Sequence, residues 1–256
     1  MDWRTYVGQH ALADFEPLEH EGARMLVRRG YEESARLLVE RPKLPQAEVF
    51  VGGGRQAHPV IVLPTGEKAV VKRYHRGGLM RRVNRELYFG GNRAFDELRA
   101  TERARTAGVQ AARVLAAIER PGTVGYRAML VTLLIPGATD AAAWLHDAAA
   151  PDRALALREA GRQLAAMHAA GVSHPDVNLR NLLVASGGNG AAPEVWILDF
   201  DKSRVHPGPV PVGRRVEDLR RIVRSARKLR TPIGDEGWRA LREGYGDDWP
   251  PRLELR

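Results

Sequence analysis

The stretch Ser173–Val184, SHPDVNLRNLLV, places one His, one Asp and two Asn directly ahead of an apolar run. Such residues are common in loops, so the plain reading is a turn that opens a strand. The alternative is a loop whose hydrogen-bonding side chains do chemistry. Residues elsewhere in the chain decide between the two.

On the N-terminal side, PDRALALREAGRQLAAMHAAG (151–171) has a helical pattern, with Leu155, Arg158, Ala160, Leu164 and Met167 near helical spacing, Pro151 at its start and Gly171 at its stop. On the C-terminal side, NLLVASGGNGAAPEVWILDFD (181–201) reads as two apolar strands joined by a Gly/Asn-rich turn. Gly187, Gly188 and Gly190 are better explained by that turn than by a phosphate loop. Beyond it, VEDLRRIVRSARKL (216–229) predicts an amphipathic helix, with Leu219, Ile222, Val223, Ala226 and Leu229 on one face and Arg220, Arg221, Arg224, Arg227 and Lys228 on much of the rest.

The first half of the chain has a different texture. EVFV (48–51), a glycine run at Gly52, Gly53 and Gly54, PVIVL, the turn PTGE and AVVKRY read as strands separated by turns, with Lys72 inside the last strand. FDELRATERARTAG (95–108) predicts a helix stopped by Gly108, and VTLLIPG (131–137) a strand ending at Pro136. The expected organisation is a β-rich lobe over 1–135 and a helical lobe over 136–256. No motif accounts for the first 45 residues. They are left either to pack on the β-rich lobe or to help bind an acceptor.

Composition sets outer bounds. A chain of 256 residues, 44% hydrophobic and 28% charged, fits an ordinary soluble protein with a substantial core. Without cysteine it has neither disulfides nor thiolate metal sites. MDWRTYVGQH lacks the basic-then-apolar pattern of a secretory leader, and no apolar run approaches the roughly 20 residues of a membrane-spanning helix. The formal charge of +9 points to an anionic partner without naming it.

Taken together, the glycine run, Lys72, a helical carboxylate and two loops holding Asp176 with Asn181 and Asp199 suit phosphoryl transfer from a nucleotide. Glycines let backbone N–H groups approach phosphate oxygens. A strand lysine supplies fixed positive charge, and a helical carboxylate holds it in place. Glu97 and Glu102, on the same predicted helix, are both candidates to hold Lys72. An Asp can accept or orient the hydroxyl proton, and Asn and Asp oxygens suit Mg²⁺.

The motifs AVVK (Lys72), HPDVNLRN (His174, Asp176, Asn181) and ILDFD (Asp199) resemble the protein-kinase-like superfamily. With RYHRGGL, AFDELR, LDFDKSRV, DLRRIVRSARK and GWRALREGY, the likeness narrows to the 3-deoxy-D-manno-octulosonic acid (Kdo) kinases, within the lipopolysaccharide kinases, over roughly 48–246. The resemblance implies an α+β, two-lobed protein-kinase-like fold with the nucleotide in a cleft. It implies ATP and Mg²⁺, with Asp176 as catalytic base, Lys72 as phosphate clamp and Asn181 and Asp199 as metal ligands. Gly52, Gly53, Gly54, Lys72 and Glu97 would bind the nucleotide, and His174 would hold the loop.

The implied acceptor is the O4 hydroxyl of Kdo on a lipid A precursor, at the cytoplasmic face of the inner membrane. Arg76, Arg81, Arg82 and Arg85 are read either as a solvated helix face or as contacts to anionic lipid. No nucleic acid and no obligate protein partner are expected. Alternatives are another lipopolysaccharide-core sugar, a small molecule, or a non-catalytic basic binding protein. Pro175, Asn178, Asp201 and the missing APE depart from protein kinases and argue against a protein substrate. VGGGRQA also lacks the spaced glycines of the kinase loop.

Overall fold

The structure is a computed structural model describing Trp3, Thr5, Gly8, 12–40, 48–51, 57–74, 93–123, 125–187, 191–251 and Leu253. These residues form two compact units. One takes those up to Phe50, those within Ala57–Arg99, and Arg113–Leu134; the other takes Val51, Ala100–Ala112 and those from Ile135 on.

The first unit is built on a seven-stranded sheet in the order β1-β2-β6-β7-β5-β4-β3. Its strands are β1 (Phe15–His20), β2 (Ala23–Arg28), β3 (Glu48–Val51), β4 (Ala57–Val62), β5 (Lys68–Arg73), β6 (Val114–Pro121) and β7 (Tyr126–Leu133). The N-terminal segment thus extends the sheet, β2 running antiparallel to β6 with Leu26 opposite Ala117. Helix α1 (Glu32–Glu40) buries Ala35, Leu38 and Val39 with Met25, Val27, Val71, Leu115 and Ile118. A second cluster gathers Phe95 and Leu98, from the start of helix α2 (Arg93–Thr106), with Leu26, Tyr74, Val114, Ala117 and Leu130. Strand β6 supplies both clusters, so Val114–Glu119 are all buried. That removes the alternation by which a half-exposed strand is recognised.

The second unit contains β8 (Ala138–Asp140), helices α3 (Ala141–Asp147) and α4 (Ala150–Ala169), and β9 (Val172–Ser173). After these come the hairpin β10 (Leu182–Ala185) and β11 (Glu194–Ile197), β12 (Arg204–Val205), α5 (Val212–Leu229) and α6 (Gly234–Tyr245). Pro151 occupies the first turn of α4, where its missing N–H is harmless, and Gly171 follows the helix at φ +80°. The buried stripe of α4 runs through Leu157, Ala160, Gly161, Leu164, Met167 and His168. Leu155, one of the residues near helical spacing, is 41% exposed. It lies two positions before Leu157, which turns it about 200° around the helix.

Helices α4 and α6 cross with almost no gap. A Cβ on Gly161 would sit 2.1 Å from the Leu241 carbonyl oxygen, and one on Gly244 would sit 1.8 Å from that of Arg158.

Candidate active site

In the first unit, β5 aligns Lys72 opposite Leu130 of β7. Alternation puts Ala69 and Val71 in the cluster beneath α1, and Lys72 and Tyr74 on the other face. Glu97 comes from α2, whose Phe95 and Leu98 anchor it to that face. Lys72 Nζ donates to both Glu97 oxygens at 2.8 Å, and the Tyr74 hydroxyl donates to Glu97 Oε2. The Glu97 carboxylate is 3% exposed, so a buried anion is held by a largely buried cation. Glu102 lies 3.5 Å from Arg105 on its own helix. The bond pattern therefore selects Glu97.

The second unit gathers Asp176, Asn181 and Asp199. From β9 the chain enters the loop at His174, and the turn Leu179–Asn181 returns it to β10. Asn178 Nδ2 and Asn181 Nδ2 both donate to the Asp176 carbonyl, at 2.7 and 2.9 Å. These two bonds close the loop and leave the Asp176 carboxylate exposed. Leu198 N donates to the Asn181 carbonyl at 2.8 Å, so Asp199 follows a residue pinned to the turn. Asp199 adopts φ +63°, a left-handed conformation uncommon for a non-glycine residue and typical of constrained sites.

His174 joins the loops. It is fully buried, and its Nε2 donates to the Leu198 carbonyl at 2.9 Å. Burial pushes its pKa down, against the Leu198 bond and the charges of Asp199, Asp218 and Asp176, which pull it up. The ring is therefore neutral at neutral pH and acts as a strut. Its Nδ1 has no hydrogen-bond partner among the described residues.

Asp218 carries part of the scaffold that the sequence reading missed. This buried carboxylate on α5 accepts from His174 N at 2.8 Å and lies 3.3 Å from His168 Nε2. His168 Nδ1 in turn meets the Tyr245 hydroxyl at 2.8 Å, and burial pushes that phenol up to about 12. Ser225, also on α5, accepts from Leu179 N at 3.2 Å. The available signal was position: Asp218, Ile222 and Ser225 share one helix face with the apolar stripe, an odd place for an acid on a solvated helix.

A magnesium ion fits the donor set. Both Asn181 and Asp199 offer hard oxygens, and because Asn181 Nδ2 is committed to Asp176, its Oδ1 is left as the acceptor. Among the described residues no group of three or more His, Cys, Asp and Glu could hold a metal. A sparse pair of protein ligands suits an ion that keeps water and phosphate oxygens in its shell. The predicted glycines Gly52, Gly53 and Gly54 and the cluster Arg76, Arg81, Arg82 and Arg85 lie outside the described residues.

A family model described as "Lipopolysaccharide kinase (Kdo/WaaP) family" matches residues 52–245. This chain belongs to the lipopolysaccharide kinase family. Two relatives called 3-deoxy-D-manno-octulosonic acid kinase come from Xanthomonas species. The protein of X. oryzae pv. oryzae is 34% identical over 185 residues, covering 70% of this chain and 69% of its own. That of X. euvesicatoria pv. vesicatoria is 30% identical over 221 residues, covering 79% and 83%. A third, from Actinobacillus succinogenes, is 30% identical over 186 residues, covering 70% and 76%.

A solved structure, "WaaP in complex with acyl carrier protein", aligns with TM-score 0.63 and 18% identity over 91% of this chain and 90% of that one. The fold is therefore the α+β, two-lobed protein-kinase-like fold implied by the motifs. As a member of the lipopolysaccharide kinase family the chain is a phosphotransferase, and ATP is its phosphoryl donor.

Proposed function

We propose that this kinase transfers the γ-phosphoryl group of ATP to the O4 hydroxyl of Kdo on a lipid A precursor, working peripherally at the cytoplasmic face of the inner membrane. The observation that carries the chemistry is the pinning of Asp176, Asn181 and the residue before Asp199 by short hydrogen bonds within one unit. The acceptor follows the names of relatives at 30–34% identity. The formal charge of +9 supports an anionic lipid surface, and among the described residues no helix is long and apolar enough to cross a membrane.

In this reading Asp176 orients the acceptor hydroxyl and takes its proton. A sugar hydroxyl is a weak acid, so the proton leaves late and orientation dominates. Asn181 and Asp199 would hold Mg²⁺, which when bound would neutralise charge on the phosphate oxygens. Lys72, fixed by Glu97, faces the nucleotide phosphates as a preorganised cation. Gly52, Gly53 and Gly54 are assigned to nucleotide binding by the family resemblance, because glycines leave backbone N–H groups accessible to phosphate.

Purified chain is assayed for ATP-dependent phosphorylation of Kdo-lipid A precursor, with the product located by mass analysis. The expected product carries one added phosphate on Kdo, and Asp176→Asn retains ATP binding with turnover reduced at least a hundredfold. Phosphate on another sugar overturns the acceptor assignment. Near-normal turnover of the variant overturns the role of Asp176.

A further inference from the structure

Three cations that border the pinned loops have no ionic partner among the described residues. Arg180 lies in the turn Leu179–Asn181, immediately before the proposed metal ligand Asn181, with its backbone N–H bonded to Asn178 Oδ1 at 2.9 Å. Lys202 stands three residues after Asp199, in a turn closed by the 2.9 Å bond from Ser203 N to the Phe200 carbonyl. Arg204 begins β12, directly opposite Ser173 of β9, so the chain leaving Asp199 runs beside the chain entering Asp176. All three side chains are exposed, and none bonds to Asp176, Asp199, Asp201 or any other described residue. Some exposed arginines of this unit find carboxylates, as Arg214 does at 2.7 Å from Glu217 and Arg162 with Glu159, and others such as Arg220 do not among the described residues.

Lys202 is also held at φ +66°, where glycine would fit without strain. The pattern is that of a site prepared for an anion that arrives with the substrate.

We propose that Arg180, Lys202 and Arg204 form an acceptor subsite that binds the carboxylate of the sugar acid whose hydroxyl is phosphorylated. The inference rests on the acceptor class proposed above and adds the group by which that acceptor is recognised. A carboxylate fixed beside Asp176 orients the sugar ring and so selects one hydroxyl. The same cations could instead meet a phosphate of the lipid, and the test separates the two.

The full chain is assayed with Kdo-lipid A precursor, with its carboxyl-reduced counterpart, and with a counterpart lacking the lipid phosphates. Wild type is expected to lose roughly tenfold to a hundredfold in kcat/KM on carboxyl reduction, and little on phosphate removal. The triple variant Arg180→Gln, Lys202→Gly, Arg204→Gln is expected to treat the native and carboxyl-reduced acceptors alike, with the KM for ATP retained. Lys202→Gly alone should raise the thermal midpoint while raising the acceptor KM, a split that a structural role would not produce. Arg220→Gln, an exposed cation on α5, controls for general electrostatics and should keep the preference.

The subsite is refuted if wild type does not discriminate against the reduced acceptor, if the triple variant still does, if the penalty follows the lipid phosphates, or if Arg220→Gln has an equal effect. A wild-type enzyme that fails to phosphorylate any Kdo-bearing acceptor brings down the acceptor assignment, and the subsite with it.

Discussion

Asp218 provides the sharpest test of how the catalytic loop is held. The residue is 3% exposed and its carboxylate serves two buried groups, His174 N–H at 2.8 Å and His168 Nε2 at 3.3 Å. Replacement by Ala strands both, in surroundings where His168 is 1% and His174 0% exposed. Each buried polar group left without a partner costs about 1–3 kcal/mol, so Asp218→Ala should lose roughly 3–5 kcal/mol, a large share of an ordinary domain's stability. Asp218→Asn keeps an oxygen for His174 N and a polar group for His168, and should lose only about 1 kcal/mol.

The assay is urea unfolding of both variants, combined with turnover per folded molecule at a temperature where each is folded. The His174 bond sets the entry of the chain into the Asp176 loop, so Asp218→Asn should lower kcat about tenfold with little change in the KM for ATP. A loss below about 1 kcal/mol for Asp218→Ala would refute the accounting. Unaltered kcat in a destabilised Asp218→Asn would show that the residue supports the fold without positioning the loop.

Other perturbations probe other parts of the molecule. Lys72→Met leaves the 3%-exposed Glu97 carboxylate without its cation and should cost about 3 kcal/mol. The double variant with Glu97→Gln should recover most of that in thermal unfolding while remaining inactive, and an active double variant would remove Lys72 from the phosphate-binding role. Glu119 is pushed up to about 8, mainly by burial and also by the charge of Asp96, against the Ala94 N–H bond and Arg24. Its folded pKa exceeds the unfolded value, so folding retains the proton and stability declines as pH rises from about 4.5 to about 8. Glu119→Gln should flatten that decline and raise stability at pH 8 by on the order of 3 kcal/mol, measured by urea titration across pH. Gly161→Ala would drive a methyl group into the Leu241 carbonyl, and despite its better helix propensity it should lower stability by about 2–4 kcal/mol in calorimetry.

Local chemistry was legible from the chain alone. AVVK lies in a strand, Glu97 on a helix, and His174, Asp176 and Asn181 on a loop feeding a hairpin. Each of these has a local cause, namely alternation, a glycine stop or a turn residue. Less legible were β1, β2, β6 and α1. Strand β6 is apolar on both faces and rich in alanine, so its period is hidden until two clusters close over it. The exposure of Leu155 was hidden for a related reason: the α4 stripe is fixed by α6 packing against Gly161, which spacing within one helix does not reveal.

The sequence by itself determined the residue types needed for phosphoryl transfer, their order and the elements that carry them, because those depend on short-range stereochemistry and motif spacing. Tertiary structure alone decided that Glu97 and not Glu102 meets Lys72, that Asp218 holds His174, and that Arg180, Lys202 and Arg204 have no ionic partners among the described residues. Those outcomes depend on pairing between residues 25 to 44 positions apart, as in Lys72–Glu97 and His174–Asp218. Only closure of the core fixes which of several chemically equivalent charges come within a few ångströms of each other.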